Sequence, residues 1–244
     1  MSGSLLPTVL YEDDDLIAFD KPSGLLVAPD RWDKELENLM GLVHQHLSPD
    51  WFNVHRLDRE TSGVLLCAKN KAALDALSLA FERKTVRKEY LAITRGLPPL
   101  PRGCIDVPIA PSQDHPGLMR IARRGKPAVT DYELVEGWRD FAVVKLLPQT
   151  GRTHQLRVHM AHAGCPILCD PIYGSPRPLF LSDLKRNYKP TRDEERPMMG
   201  RLALHAGSLT VEHPSTHQPL TMASPLPKEF EISIKYLRRF ARRG

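Results

Sequence analysis

The sequence predicts an α+β protein, on two observations. Runs such as Leu16 to Asp20 and Val64 to Ala68 are apolar and of strand length, and between Lys84 and Leu147 several such segments follow one another. By contrast, Leu74, Leu77 and Phe81, and again Phe230, Ile234, Leu237 and Ala241, recur at the spacing of one helix face. The 244 residues are enough to bury a sizeable core, and a single compact domain over 1–244 is expected, with its core at 9–225.

Taken in order, Leu16 to Asp20 is a strand, and Lys21-Pro22-Ser23-Gly24 is a turn leading into a second extended run, Leu25 to Val27. From Glu35 to Leu47, Leu36, Leu39, Met40, Val43 and Leu47 give a helix that Pro49 ends. After the Val64 to Ala68 strand, Asn70 is placed to cap the next helix, and Lys84 to Thr94 is extended. Between Pro98 and Pro127, proline, glycine and arginine predict a loop-rich ribbon with short strands at Cys104 to Val107 and Leu118 to Ala122. Val129 to Val135 and Phe141 to Leu147 form adjacent strands. Thr153 is expected to cap a short helix closed by Gly164. A polar, proline-containing loop or insertion at 175–200 follows, then strands at Arg201 to Ala206, Ser208 to Val211 and Leu220 to Ala223, and a basic helix at 227–242.

Composition narrows the function classes. A hydrophobic fraction of 41% and a charged fraction of 26% belong to a soluble globular protein, and no apolar run is long enough to span a bilayer. The N-terminus lacks a basic region followed by a long apolar stretch, so a cytoplasmic location without membrane attachment is expected. Four scattered cysteines do not make a disulfide framework. A net charge of +5, with Arg120, Arg123, Arg124 and Lys126 clustered and Arg238, Arg239, Arg242 and Arg243 near the end, suits a polyanionic partner or a solvated face equally.

Two stretches carry chemistry. In His55-Arg56-Leu57-Asp58-Arg59-Glu60-Thr61-Ser62-Gly63 one carboxylate sits among arginines just before a buried strand. Asp58 there either caps the amides of Thr61 or Ser62 in a polar turn that Gly63 completes with a positive φ, or is presented as a nucleophile or base. In Gly151-Arg152-Thr153-His154-Gln155-Leu156-Arg157 a glycine loop enters a helix on which His154, Arg157 and Ala161 share a face. An arginine projected from that helix could hold an ionised carboxylate. His159, His162, Cys165 and Cys169 lie close enough in sequence to raise a zinc site, although the intervening Gly164 and Pro166 describe an ordinary turn.

Together, His-Arg-Leu-Asp-x-x-Thr-Ser-Gly at 55–63 and Gly-Arg-Thr-His-Gln-Leu-Arg at 151–157 resemble the RluA-type family of RNA pseudouridine synthases. The resemblance extends to Lys21–Gly24, Lys88-Glu89-Tyr90, Pro166–Leu168 with Asp170 and Tyr173-Gly174, and Leu202–Ala206, from Tyr11 to Pro225. It implies a mixed, largely antiparallel central sheet with flanking helices and a central RNA-binding cleft. It also implies a short member without the N-terminal S4-type domain of many relatives. On the same resemblance Asp58 is the catalytic aspartate, Arg157 the arginine paired with it, and Tyr90 the aromatic beside the target base. Leu204 closes the pocket and Arg56 enters the space left by a flipped uridine, while His55, Thr61, Arg152 and His154 are expected to contact substrate.

The implied reaction isomerises uridine to pseudouridine in tRNA, rRNA or both, by base flipping and without cofactor or metal. The partner would be RNA, neither DNA nor a membrane, and the protein a monomer. A non-catalytic RNA-binding module and a zinc-dependent hydrolase are the competing readings.

Overall fold

A computed structural model describes residues 6–29, 33, 35–185, 188 and 194–241. In chain order its elements are β1 (Val9–Glu12), β2 (Leu16–Lys21), α1 (Leu39–His46), β3 (Phe52–Asn53), β4 (Ser62–Ala68), α2 (Lys71–Glu82), β5 (Arg87–Arg95) and β6 (Arg102–Asp106). There follow β7 (Ile109–Pro111), β8 (Met119–Ile121), β9 (Val129–Gly137), β10 (Phe141–Pro148), α3 (Gln155–His162), β11 (Leu204–Glu212), β12 (Pro219–Ala223) and α4 (Lys228–Phe240). The chain divides into two compact units, one from Met1–Glu89 and His205–Pro225, the other from Tyr90–Leu204 and Leu226–Gly244.

In the first unit β2 lies antiparallel between β1 and β4, in register from Leu16 opposite Ala68 to Lys21 opposite Gly63. The other edge of β4 pairs parallel with β11 at Ser62–His205 and Gly63–Ala206, and β12 continues antiparallel from β11. Both faces of β4 are covered. Val64, Leu66 and Ala68 pack with Ala73 and Leu77 of α2, and Cys67, facing the other way, meets Met40 of α1 at 3.8 Å between sulfurs. Double burial explains why this strand reads as an unbroken apolar run instead of an alternation.

In the second unit β10 lies antiparallel between β5 and β9, and β6 follows on β9. Ile93, Val144, Leu146 and Met160 form one core with Phe230, Ile234 and Leu237, the inward face of α4 that the sequence predicts. Strands β7 and β8 make a separate two-stranded ribbon. It has its own small cluster, in which Ile109, Ala128 and Val158 of α3 pack with Met119, Ile121 and Tyr173. Among the strand ladders within the two units, β4 with β11 is parallel and the others antiparallel, a mixed and largely antiparallel α+β arrangement as expected. Among the described residues no helix is long and apolar enough to cross a membrane.

Several local expectations change. Leu25 to Val27 is not a strand, since only Leu26 makes an isolated bridge, to Asn38. The helix expected from Glu35 begins at Leu39, because the Asn38 side chain takes the Gly41 amide at 2.8 Å and fixes the start there. Asn70 caps α2 through the Ala73 amide as predicted. Thr153 does not cap α3; His154 occupies that position in a left-handed conformation with no side-chain cap. In place of the segments expected at Arg201–Ala206 and Ser208–Val211 there is a single strand, β11, from Leu204 to Glu212, with Arg201–Ala203 outside it. In the 175–200 insertion, Leu179 and Met199 pair and are fully buried, while residues 186–187 and 189–193 lie outside the described residues, as do Arg242 and Arg243.

Gly63 has φ +113, and a Cβ there would collide with the backbone of Ala206. Gly63→Ala should therefore lower stability by at least about 2 kcal/mol in urea denaturation, since both conformation and close approach oppose the side chain. An unchanged midpoint would show that β11 yields easily at this point.

Candidate active site

The segment carrying Asp58 is a loop between β3 and β4, fastened at both ends. On entry, Asn53 Nδ2 donates to the His55 carbonyl at 2.9 Å, and His55 Nε2 accepts the Leu66 N–H at 3.0 Å. The imidazole stacks on Phe81 with ring centroids 5.2 Å apart. Burial, then the nearby charge of Lys88, push its pKa down to about 4, against a weaker upward pull from a hydrogen bond with the Arg56 backbone. His55 is thus neutral at pH 7, with its proton on Nδ1 because Nε2 is the acceptor. Beyond Asp58, its carbonyl closes a turn with the Thr61 N–H at 3.0 Å.

Across the loop lies the Lys21–Leu25 turn, a clamp whose role the sequence did not disclose. The fully buried Lys21 ammonium donates to the carbonyls of Pro22 (2.9 Å), Leu25 (2.7 Å) and Arg59 (3.0 Å). Gly24 N–H also donates to Arg59 O at 2.9 Å, Arg59 Nε returns a bond to Gly24 O at 3.0 Å, and Ser23 Oγ donates to Glu60 O at 2.6 Å. Arg59 and Glu60, just after Asp58, are held by these contacts to their carbonyls, while Arg56 before it is left exposed. Thr61 is buried, and Ser62 Oγ meets His205 Nδ1 at 3.0 Å across the parallel pairing.

In the second unit, Tyr90 is half-buried on β5 opposite Leu146 of β10. The segment ending at the buried Leu204 runs beside β5, with Ile93 N–H bonded to Ala203 O at 3.1 Å. The loop entering α3 is shaped by Gln155, which uses its whole amide. Its Oε1 accepts from Thr150 Oγ1 (2.7 Å) and Arg152 N–H (3.0 Å), and its Nε2 donates to Val129 O and Thr130 Oγ1, both at 2.9 Å. Arg152 Nε donates to Pro127 O at 3.0 Å.

Arg157 is buried, and its guanidinium meets Asp170 edge-on, Nε to Oδ2 at 2.9 Å and Nη2 to Oδ1 at 2.8 Å. Asp170 also accepts from the Ile172 and Tyr173 amides. Burial alone would raise its pKa, but the Arg157 hydrogen bonds and charge, with those amides, hold it below the ordinary value. Nothing in the sequence singled out Asp170 as the residue that orients Arg157; its place in the same motif set was the only signal.

His159 is engaged on both nitrogens, Nδ1 with Thr130 Oγ1 at 2.9 Å and Nε2 with Val107 O at 3.1 Å, so it is a structural tie in this fold. Among the described residues no three His, Cys, Asp or Glu side chains are grouped to hold a metal ion. The predicted site residues thus fall into two sets. His55, Arg56, Asp58 and Thr61 share one clamped loop of the first unit. Arg152, His154 and Arg157 share the loop and helix of the second, whose neighbouring strand segments carry Tyr90 and Leu204.

The comparisons agree with this set of motifs. Residues 15–162 match the family model for RNA pseudouridylate synthase. The dual-specificity RNA pseudouridine synthase RluA of Escherichia coli is 39% identical over 89% of this chain and 92% of its own length. Ribosomal large subunit pseudouridine synthase D of Haemophilus influenzae is 35% identical over 91% of this chain and 68% of its own. Among solved structures, human RNA pseudouridylate synthase domain containing 4 superposes with a TM-score of 0.72 at 30% identity, covering 94% of this chain and 92% of that one. The chain belongs to the RNA pseudouridylate synthase family, of RluA type. It is accordingly an isomerase acting on uridine in RNA.

Two measurements test the geometry. In an NMR titration His55 should show a midpoint near 4; because the unfolded ring takes up its proton nearer 6.5, His55 should erode stability as pH falls from 6.5 to 4 and add no further loss below. A midpoint near 6.5 would contradict the packing. Asp170→Asn leaves the Arg157 charge without its buried carboxylate and should cost about 3–5 kcal/mol in chemical denaturation.

Proposed function

We propose that this protein converts uridine to pseudouridine at a specific position in structured RNA, tRNA or rRNA or both, with Asp58 as the catalytic carboxylate. Of the observations, the clamp on the Asp58 loop carries the reading furthest, because a carboxylate on backbone so thoroughly tied is preorganised for chemistry. In the reaction the bond between uracil N1 and ribose C1′ breaks, the base rotates, and C5 bonds to C1′. The C5 proton leaves and N1 is protonated, so no redox partner, cofactor or metal is needed.

Asp58 serves as nucleophile at C1′ or forms a glycal by moving a ribose proton; both routes need its ionised carboxylate. Arg157 is its partner, Tyr90 offers the base a stacking face, and Leu204 supplies an apolar wall. The exposed Arg56 takes the space a flipped uridine leaves, which offsets part of the unstacking cost of a few kcal/mol. Thr61, Arg152 and His154 complete the substrate contacts, whereas His55 contributes through the loop it anchors. Arg120, Arg123, Arg124 and Lys126 are exposed on and just after β8 and meet phosphates. Arg238 is already paired with Glu136 at 2.8 Å and contributes less. The protein acts as a cytoplasmic monomer.

Asp58→Asn should abolish pseudouridine formation while the variant stays folded and binds RNA, and comparison of pseudouridine maps of total RNA with and without the gene should locate the target. Arg157→Lys loses the planar fork and should slow turnover by about 100-fold or more. Tyr90→Phe should retain more activity than Tyr90→Leu. Turnover by a folded Asp58→Asn protein, with reversion to aspartate excluded by mass, would end the assignment.

A further inference from the structure

Resting on that reading, we propose that Tyr173 is a positioning residue that couples the β7–β8 ribbon to Arg157, so that RNA seated on the ribbon fixes the arginine. Its phenol oxygen accepts the Met119 N–H of β8 at 2.9 Å and shares a hydrogen bond with His154 Nδ1 at 2.8 Å. Its ring lies under the Arg157 guanidinium, with Cζ 5.2 Å from the centroid. One side chain therefore touches the ribbon, the entry to α3 and the arginine.

Each contact has a directional consequence. Asp170 holds Arg157 through the edge of the guanidinium, and Tyr173 holds it through the face, so the two together fix tilt as well as position. The Asp170 carboxylate also accepts the Tyr173 N–H at 3.1 Å, which places arginine, carboxylate and ring in one compact group. His154 sits at φ +54, a conformation that costs a residue with a Cβ about 1–2 kcal/mol. The hydrogen bond between His154 Nδ1 and the phenol oxygen at 2.8 Å offsets part of this strain.

On the ribbon side, Arg120 alternates with Met119 and Ile121 and is exposed, while those neighbours pack on Ile109, Ala128 and Val158. A phosphate drawn to Arg120 thus bears on the strand whose Met119 amide Tyr173 binds. The phenol bond joins the packing of Val158 and the His159–Val107 hydrogen bond in tying the ribbon to α3 and its entry.

The test is a double-mutant cycle on the full chain, read as the single-turnover rate of pseudouridine formation in a transcript that the wild-type protein modifies. Replacing Arg120 and Arg123 together by alanine should slow that step about tenfold in the wild-type background, but less than about twofold in Tyr173→Phe, where the ribbon is already uncoupled. Tyr173→Phe itself should be slowed, and Tyr173→Leu slowed further because the face under Arg157 is lost as well. Equal effects of the ribbon substitutions in both backgrounds, or a Tyr173→Phe rate equal to wild type, would overturn the coupling while leaving the enzymatic reading intact. If Tyr173→Leu does not fold, the cycle with Tyr173→Phe still decides. A wild-type chain that modifies no RNA would overturn the enzymatic reading and the coupling with it.

Discussion

The buried ammonium of Lys21 is the constraint on which the first unit's candidate site depends. Desolvating such a charge costs several kcal/mol unless its donors are all met, and here three N–H groups meet three backbone carbonyls. Two of those carbonyls belong to the turn after β2 and the third to Arg59, the residue following Asp58. The cost of burial thus becomes a positional requirement, because satisfying the charge brings the loop to one place. Gly24 and Ser23 then add bonds to the same loop. The full burial of β4, and of β2 apart from Asp20, supplies the rigid base beneath.

The second unit reaches a similar end with a chain of neutral groups. Val107 O accepts from His159, His159 Nδ1 accepts from Thr130, Thr130 accepts from Gln155, and Gln155 in turn holds Thr150 and Arg152. A fully satisfied polar chain inside a protein specifies one arrangement, since any shift strands a donor or acceptor away from water. Its direction is set by the His159 tautomer, with Nε2 as donor. Burial lowers the pKa of this ring, outweighing the opposing pull of the Val107 carbonyl, which favours the neutral form that the chain requires.

Much of the fold was legible in the sequence where a local signal had a local cause. The Asn70 cap and the stripe beneath it placed α2, and the apolar run Val64–Ala68 placed a buried strand. The failures were local signals with competing outcomes. Asn38 could begin a helix as well as Glu35 could, and Thr153 had the chemistry of a cap without the geometry, because the loop is ordered by Gln155. In the candidate site the motif residues were visible, but what holds them was not. Lys21 with Arg59, His55 with Leu66 and Arg157 with Asp170 are pairings between separated segments, and spacing alone does not announce such partners.

The parallel pairing of β4 with β11 has a temporal meaning. During synthesis the chain emerges from its N-terminus, yet the strand that covers the free edge of β4 lies beyond residue 203. Until then β3 covers that edge of β4 only at Cys67 and Ala68, and its beginning at Ser62 and Gly63 lacks the strand that later pairs with it, the kind of edge that recruits foreign strands. The second unit's central strands, all contained in the intervening stretch, have emerged by that time and are joined by shorter connections. Contacts of long sequence separation also form slowly. A chain arrested before β11 would therefore carry Asp58 on a scaffold still missing the strand that pairs with Ser62 and Gly63.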